Sequence, residues 1–173
     1  MTQRVGMGFD AHPFVTGRPL RLGGVELPDA AGLEGHSDGD ALLHAVTDAD
    51  LGAAGLGSIG DHFSPTDPVW KDADSAGFLR KARDLAAANG LAIGNVDAIV
   101  VAEAPKIAPH AARIRESIAG ILGVDVGRVS VRGTSSNGLG FTGRKEGLAA
   151  MAVVLLTPSS STRDPDSEIR NPK

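Results

Sequence analysis

The chain has 173 residues, enough for one domain with a sizeable core and tight for two. Its formal charge of −4, without any cluster of lysine and arginine, gives no electrostatic reason to expect nucleic acid as a partner. The absence of cysteine excludes a disulfide framework, thiolate metal ligands and a cysteine nucleophile.

Met1-Thr2-Gln3-Arg4 leads directly into a strand, without the apolar segment and cleavage site of a signal peptide. The longest apolar run, Leu148 to Thr157, is too short to span a bilayer as a helix, so a cytoplasmic protein with no membrane association is expected. Arg4 to His12 reads as the first strand, and Leu20 to Leu27 as a hairpin turning at Gly23-Gly24, with a loop from Pro28. From Asp38 to about Ala54, Leu42, Leu43, Val46 and Leu51 recur at helical spacing, with Asp38 placed as the N-cap. Gly60 to Asp74 is polar and turn-rich, long enough to cover a site.

Asp74 or Ser75 caps a second helix through Phe78, Leu79, Ala82 and Leu85, ending at Asn89-Gly90. Val96 to Ala102 reads as a strand covered on both faces, and Pro109 suits the start of a helix that buries Ile114, Ile118, Ile121 and Leu122. Val129-Ser130-Val131 and Leu148 to Thr157 supply the closing strands. Residues 1–157 thus form one domain, and 158–173 read as a disordered polar tail. The order predicts an α+β fold, one two-layer domain with a mixed sheet and helices packed on one face. The closing strand is apolar on both sides, so the second sheet face is expected to be buried against copies of the chain.

Asp10 and His12 are two apart on a strand and share a face. His44, in the first turns of the next helix, supplies a third donor. Two imidazoles and a carboxylate, with one tetrahedral position left over, describe a catalytic zinc site. The plainer alternative is three polar residues at element ends. Asp40 stands four residues before His44 and is read either as its orienting partner or, with Asp38, as a first-turn residue favoured by the helix dipole. Pro105-Lys106 places a cation at a strand exit, against the alternative of a solvated lysine. Gly133 to Arg144 is a second such exit, rich in hydroxyls and backbone amides suited to phosphate, against a merely flexible Gly/Ser loop. His62 and His110 read as partnerless surface residues.

Gly8-Phe9-Asp10-Ala11-His12, His36-Ser37-Asp38-Gly39-Asp40, Ala104-Pro105-Lys106 and Leu139 to Gly147, in this order, resemble the 2-C-methyl-D-erythritol 2,4-cyclodiphosphate synthases of the non-mevalonate isoprenoid pathway, over about Arg4 to Thr157. The resemblance implies a homotrimer with active sites between subunits and a substrate bearing a cytidine diphosphate group. It implies one zinc per subunit on Asp10, His12 and His44, and a second divalent ion, magnesium or manganese. By the same resemblance His36 and Ser135 are the transition-state stabilisers. Ser37, Ser58, Ile59, Gly60, Phe63 and Asp67 meet the substrate. Ala102, Ala104, Pro105, Lys106, Ile107 and Ala108 hold the cytidine, and Thr134, Ser136, Asn137, Phe141 and Arg144 complete the site. Three positions depart from the family pattern: Asn137 and Ser58 stand where acidic residues are usual, as does Pro65. A neutral amide is the weaker partner for a hard cation, which leaves open a relative that binds nucleotide or isoprenoid diphosphate with little turnover, or a zinc phosphohydrolase.

Overall fold

The computed structural model describes residues 2–64 and 66–159. Its first strand, β1 (Arg4–Leu22), pairs with two partners in turn: Arg4 to Pro13 run antiparallel to the last strand, and Phe14 to Leu22 run antiparallel to β2 (Val25–Leu33). Both are longer than expected. Pro13 and Pro19 argue against a continuous strand, yet Pro13 sits where β1 changes partner and Pro19 at a register shift, places where a missing N–H breaks no ladder bond. The expected loop at Pro28 is likewise strand, while the turn at Gly23-Gly24 forms as read, both glycines at positive φ.

α1 (Ala41–Ala54) is followed by a short turn, α2 (Ile59–His62), then α3 (Ser75–Ala88), β3 (Leu91–Val101), α4 (Ala111–Leu122), β4 (Val129–Thr134), a single turn α5 (Gly140–Gly143) and β5 (Gly147–Pro158). The sheet order is β2-β1-β5-β3-β4, antiparallel except for the parallel pair β3 and β4, so the domain is a mixed-sheet α+β fold. β5 extends one residue beyond the expected domain end, to Pro158, and of the tail expected over 158–173, residues 160–173 lie outside the described residues. No helix among the described residues is long and apolar enough to cross a membrane.

α1 lies against β1 with almost no side chain between them. A Cβ on Gly8 would fall 2.0 Å from the Ala45 carbonyl oxygen, and one on Gly6 2.0 Å from that of Ala49. Two strand residues, about 6.6 Å, thus match four helix residues, about 6 Å, and the helix runs antiparallel to the strand at that pitch. Leu42, Leu43, Val46 and Leu51 are wholly buried as predicted, and Ile114 and Ile118 of α4 close the same core. In α3 the buried stripe is Phe78, Leu79, Ala82 and Ala86, with Leu85 at its margin.

Among the described residues, nothing covers the other sheet face. Val5, Met7 and Phe9 are 67%, 74% and 56% exposed, and Met151 and Val153 beside them about 40%. The register sets Phe9 beside Met151, Met151 beside Ile99, and Met7 beside Val153, a continuous apolar row.

Candidate functional site

One further step along β1 from Gly8, at the same pitch, brings Asp10 under the first turn of α1. His44 Nδ1 lies 2.9 Å from Asp10 Oδ2, and His12 Nε2 lies 2.8 Å from the same oxygen. Donor atoms of Asp10, His12 and His44 all fall within 4.8 Å of one another, so the three residues read from sequence do converge. Burial works to raise the Asp10 pKa, and the hydrogen bonds with His12 and His44 overcome it, holding the carboxyl well below the ordinary carboxylate range. The Asp10 bond in turn raises His12, against its burial.

The far side of each ring is fixed. His12 Nδ1 donates to the Glu34 carbonyl oxygen, which leaves Nε2 turned to the cluster. His44 Nε2 is 2.8 Å from Ser75 Oγ and 3.1 Å from Ser37 Oγ, leaving Nδ1 for the cluster. This donor set fits a divalent cation, because a lone pair on each ring and a carboxylate oxygen meet at one point with outer partners holding the rings in place.

Asp40 does not orient His44. Its buried carboxylate caps α1 through Leu43 N–H at 3.0 Å and accepts from Gly23 and Gly24 N–H at 2.9 and 2.6 Å, tying the hairpin turn to the helix. Asp38, expected as that cap, instead receives Ser75 N–H and Oγ at the start of α3 and the Asp40 N–H. The decisive partners, Gly23 and Gly24, are distant in sequence, so helix-start rules alone miss the exchange.

His36 and Ser37 line a cleft of about 280 Å³ with the three donors, Ile59, Gly60 and Phe63. Arg18 steadies this loop by donating to the Gly35 and Ser37 carbonyls. Of the cleft's aromatic wall, Phe63 alone is among the residues expected from the sequence. Trp70 and Phe78 line it, with Phe63 4.5 Å from Phe78 and 5.2 Å from Trp70 between ring centroids. Phe78 reads as ordinary core on an amphipathic helix, and a lone Trp in a polar loop was the available signal. Ser58 donates to Asp61, and Asp67 accepts from Val69 N–H. His62 has a partner, the Leu56 carbonyl at 2.8 Å.

Ala102, Pro105, Lys106, Ile107 and Ala108 face Gly133, Thr134 and Ser135 across a second cleft of about 200 Å³. Ala104 and Pro105 also border a third, with Phe14 and Lys145. Ser136 accepts from Thr142 Oγ1 at 2.8 Å, Asn137 is in the left-handed region at φ 54°, and Phe141 is 40% exposed. Arg144 is paired with Glu146 at 2.8 Å. Among the described residues, the first two clefts share no lining residue.

Residues 3–157 match the family model described as "YgbB family". A 2-C-methyl-D-erythritol 2,4-cyclodiphosphate synthase of Symbiobacterium thermophilum is 54% identical over 152 residues, 88% of this chain and 97% of that protein. The bifunctional enzyme IspD/IspF of Sphingopyxis alaskensis is also 54% identical, over 90% of this chain. The chain spans only about two fifths of that relative's length, 40%. Among solved structures, the bifunctional IspDF of Campylobacter jejuni superposes with a TM-score of 0.90 at 42% identity, covering 94% of this chain and 44% of that one. The IspF CDP complex of Plasmodium falciparum has a TM-score of 0.81 at 35% identity, over 91% of this chain and 97% of that one.

Proposed function

Because the chain belongs to the YgbB family, we propose that it is a metal-dependent 2-C-methyl-D-erythritol 2,4-cyclodiphosphate synthase, a phosphorus–oxygen lyase of isoprenoid precursor biosynthesis. The convergence of Asp10, His12 and His44 at one point of an open cleft carries the reading. In the reaction, an oxygen of the substrate's 2-phosphate attacks the β-phosphorus of its cytidine diphosphate group. The bridge to the α-phosphorus breaks, the electron pair leaves on CMP, and an eight-membered cyclic diphosphate closes. No water, oxidant or protein nucleophile enters the balance.

The obstacle is charge, since one phosphate anion approaches another. Asp10, His12 and His44 would hold zinc, which when bound supplies positive charge to a phosphate oxygen. His36 and Ser37, in the same cleft, are placed to donate to the phosphate as its geometry changes, and Thr134 and Ser135 offer hydroxyls from the second cleft. The segment Ala102 to Ala108 holds the cytidine, with Lys106 toward the phosphates. Phe63, Trp70 and Phe78 keep water from the methyl-bearing end of the substrate. Asn137 would help hold a second divalent ion, magnesium or manganese, more weakly than a carboxylate, so substrate oxygens would supply more of its ligands.

The two clefts meet across subunits. The apolar row of Val5, Met7, Phe9, Met151 and Val153 is the surface through which a homotrimer forms, setting the metal cleft of one copy against the cytidine cleft of the next. A second reading, nucleotide binding with little turnover, draws on Asn137 and on Ser58, whose hydroxyl is engaged by Asp61.

Incubation with zinc, magnesium and 4-diphosphocytidyl-2-C-methyl-D-erythritol 2-phosphate, followed by phosphorus NMR, tests the proposal. CMP with a cyclic diphosphate is expected. Bound but unreacted substrate would favour the second reading, and CMP with an acyclic bisphosphate would mean hydrolysis.

A further inference from the structure

β3 and β4 run parallel and in register as far as Val101 and Thr134, and the last rung is the bond from Ala102 N–H to the Thr134 carbonyl at 2.9 Å. Past it the two chains separate to become opposite walls of the second cleft, Pro105 to Ala108 on one side and Thr134 with Ser135 on the other. No backbone ladder spans this opening. Glu103, two residues past the end of β3, does so with its side chain: Oε1 accepts the Gly138 N–H at 3.1 Å and lies 3.5 Å from Ser136 Oγ.

These contacts are unequal. The Ser136 hydroxyl carries one proton, and the Leu139 carbonyl at 2.7 Å takes it, so the Gly138 amide is the anchor. Gly138 is itself immobilised from behind, because Gly143 packs so close that an added Cβ there would sit 2.1 Å from the Gly138 carbonyl carbon. Asn137 and Gly138 are both left-handed, at φ 54° and 78°, which turns the Gly138 N–H out of the loop. The Gly138 bond also lowers the Glu103 pKa, as a carboxylate accepting a backbone N–H should be.

We infer that Glu103 is a positioning residue that clasps the two walls of the cytidine cleft together, holding Thr134, Ser135 and Asn137 at a fixed distance from the Pro105–Ala108 wall. It touches no reacting atom and acts through Gly138. This rests on the synthase reading of the cleft. A carboxylate beside a diphosphate would ordinarily repel it, and spending its charge on the Gly138 N–H with Lys106 nearby reduces that penalty.

The test compares Glu103→Ala with Glu103→Gln, which keeps an oxygen acceptor. Two quantities are read: CDP affinity by titration calorimetry, and hydrogen exchange of the Gly138 amide by NMR. Glu103→Ala should weaken CDP binding about tenfold, the loss of one hydrogen bond's worth of ordering, and unprotect Gly138, while Glu103→Gln stays within about threefold on both. Unchanged affinity and protection in Glu103→Ala, or equal defects in both variants, would overturn the inference. If the unsubstituted protein neither bound CDP nor turned over, the reading of the cleft would fail, and Gly138 exchange would still decide whether Glu103 is the clasp.

Discussion

Ser75 Oγ lies 2.8 Å from His44 Nε2 and is hydrogen-bonded on its other side to the Asp38 carboxylate. A carboxylate only accepts, so Ser75 donates to Asp38 and receives from His44, and the imidazole is held with Nδ1 facing Asp10. The first residue of α3 therefore sets the ring of a donor on α1.

Removing this hydroxyl should loosen the metal site without emptying it. Ser75→Ala is expected to lower zinc affinity by about tenfold or more, and Asp38→Asn to move it in the same direction, as measured by competition with a chromogenic chelator. Affinities equal to that of the unsubstituted protein would remove the relay from the account.

Asp50, wholly buried on α1, has no hydrogen-bond partner for either oxygen among the described residues. Burial pushes its carboxyl up to about 7, against a lowering by Arg83. An unfolded aspartate ionises near pH 4, so between about pH 4 and 7 the unfolded chain sheds a proton that the folded chain keeps. Stability contributed at this position therefore falls as pH rises through that window and levels off above it. Asp50→Leu should stabilise the fold by on the order of 2–4 kcal/mol at pH 8 and by clearly less at pH 4, seen in denaturant midpoints. A gain independent of pH would contradict the assignment.

Gly8 has no room for even one methyl. Gly8→Ala must push the Ala45 carbonyl off the strand, at a cost of about 1–3 kcal/mol or more, and should reduce zinc affinity as well because α1 carries His44. Thermal denaturation with and without zinc measures both.

Asn137 is left-handed, a conformation that aspartate also tolerates. Asn137→Asp should therefore keep the loop while adding a charged oxygen, and the magnesium concentration giving half-maximal rate is expected to drop severalfold. An unchanged magnesium requirement would separate this position from the second ion.

Met7, the most exposed large side chain of the apolar row, tests the assembly. Met7→Lys should shift the mass in light scattering from trimer to monomer and abolish turnover while leaving zinc binding intact.

The convergence of the three candidate donors is legible because each follows a local rule: Asp10 and His12 from strand alternation, His44 from the opening turn of a strongly patterned helix. β1 is longer than its sequence suggests because Pro13 and Pro19 speak against a strand, and their harmlessness depends on where β1 trades β5 for β2. Asp38 and Asp40 exchanged roles because both are good caps, and the choice falls to two hairpin amides far back in the chain. Trp70 entered through tertiary packing on Phe63 and Phe78, which no spacing announces. Glu103 carries no local signal, because its partner Gly138 is distant in sequence and only the fold brings it there.

The glycine-for-alanine mesh of β1 and α1 would make a metal held at its open end a fastener for the fold. An ion gripped by Asp10 and His12 on one element and His44 on the other pins the register of that mesh at its open end. Whatever binds the folded chain alone deepens its free-energy well, by about 4 kcal/mol at a thousandfold excess over the dissociation constant. The supply of that ion would then bear on how much of the protein stays folded, quite apart from how fast it works.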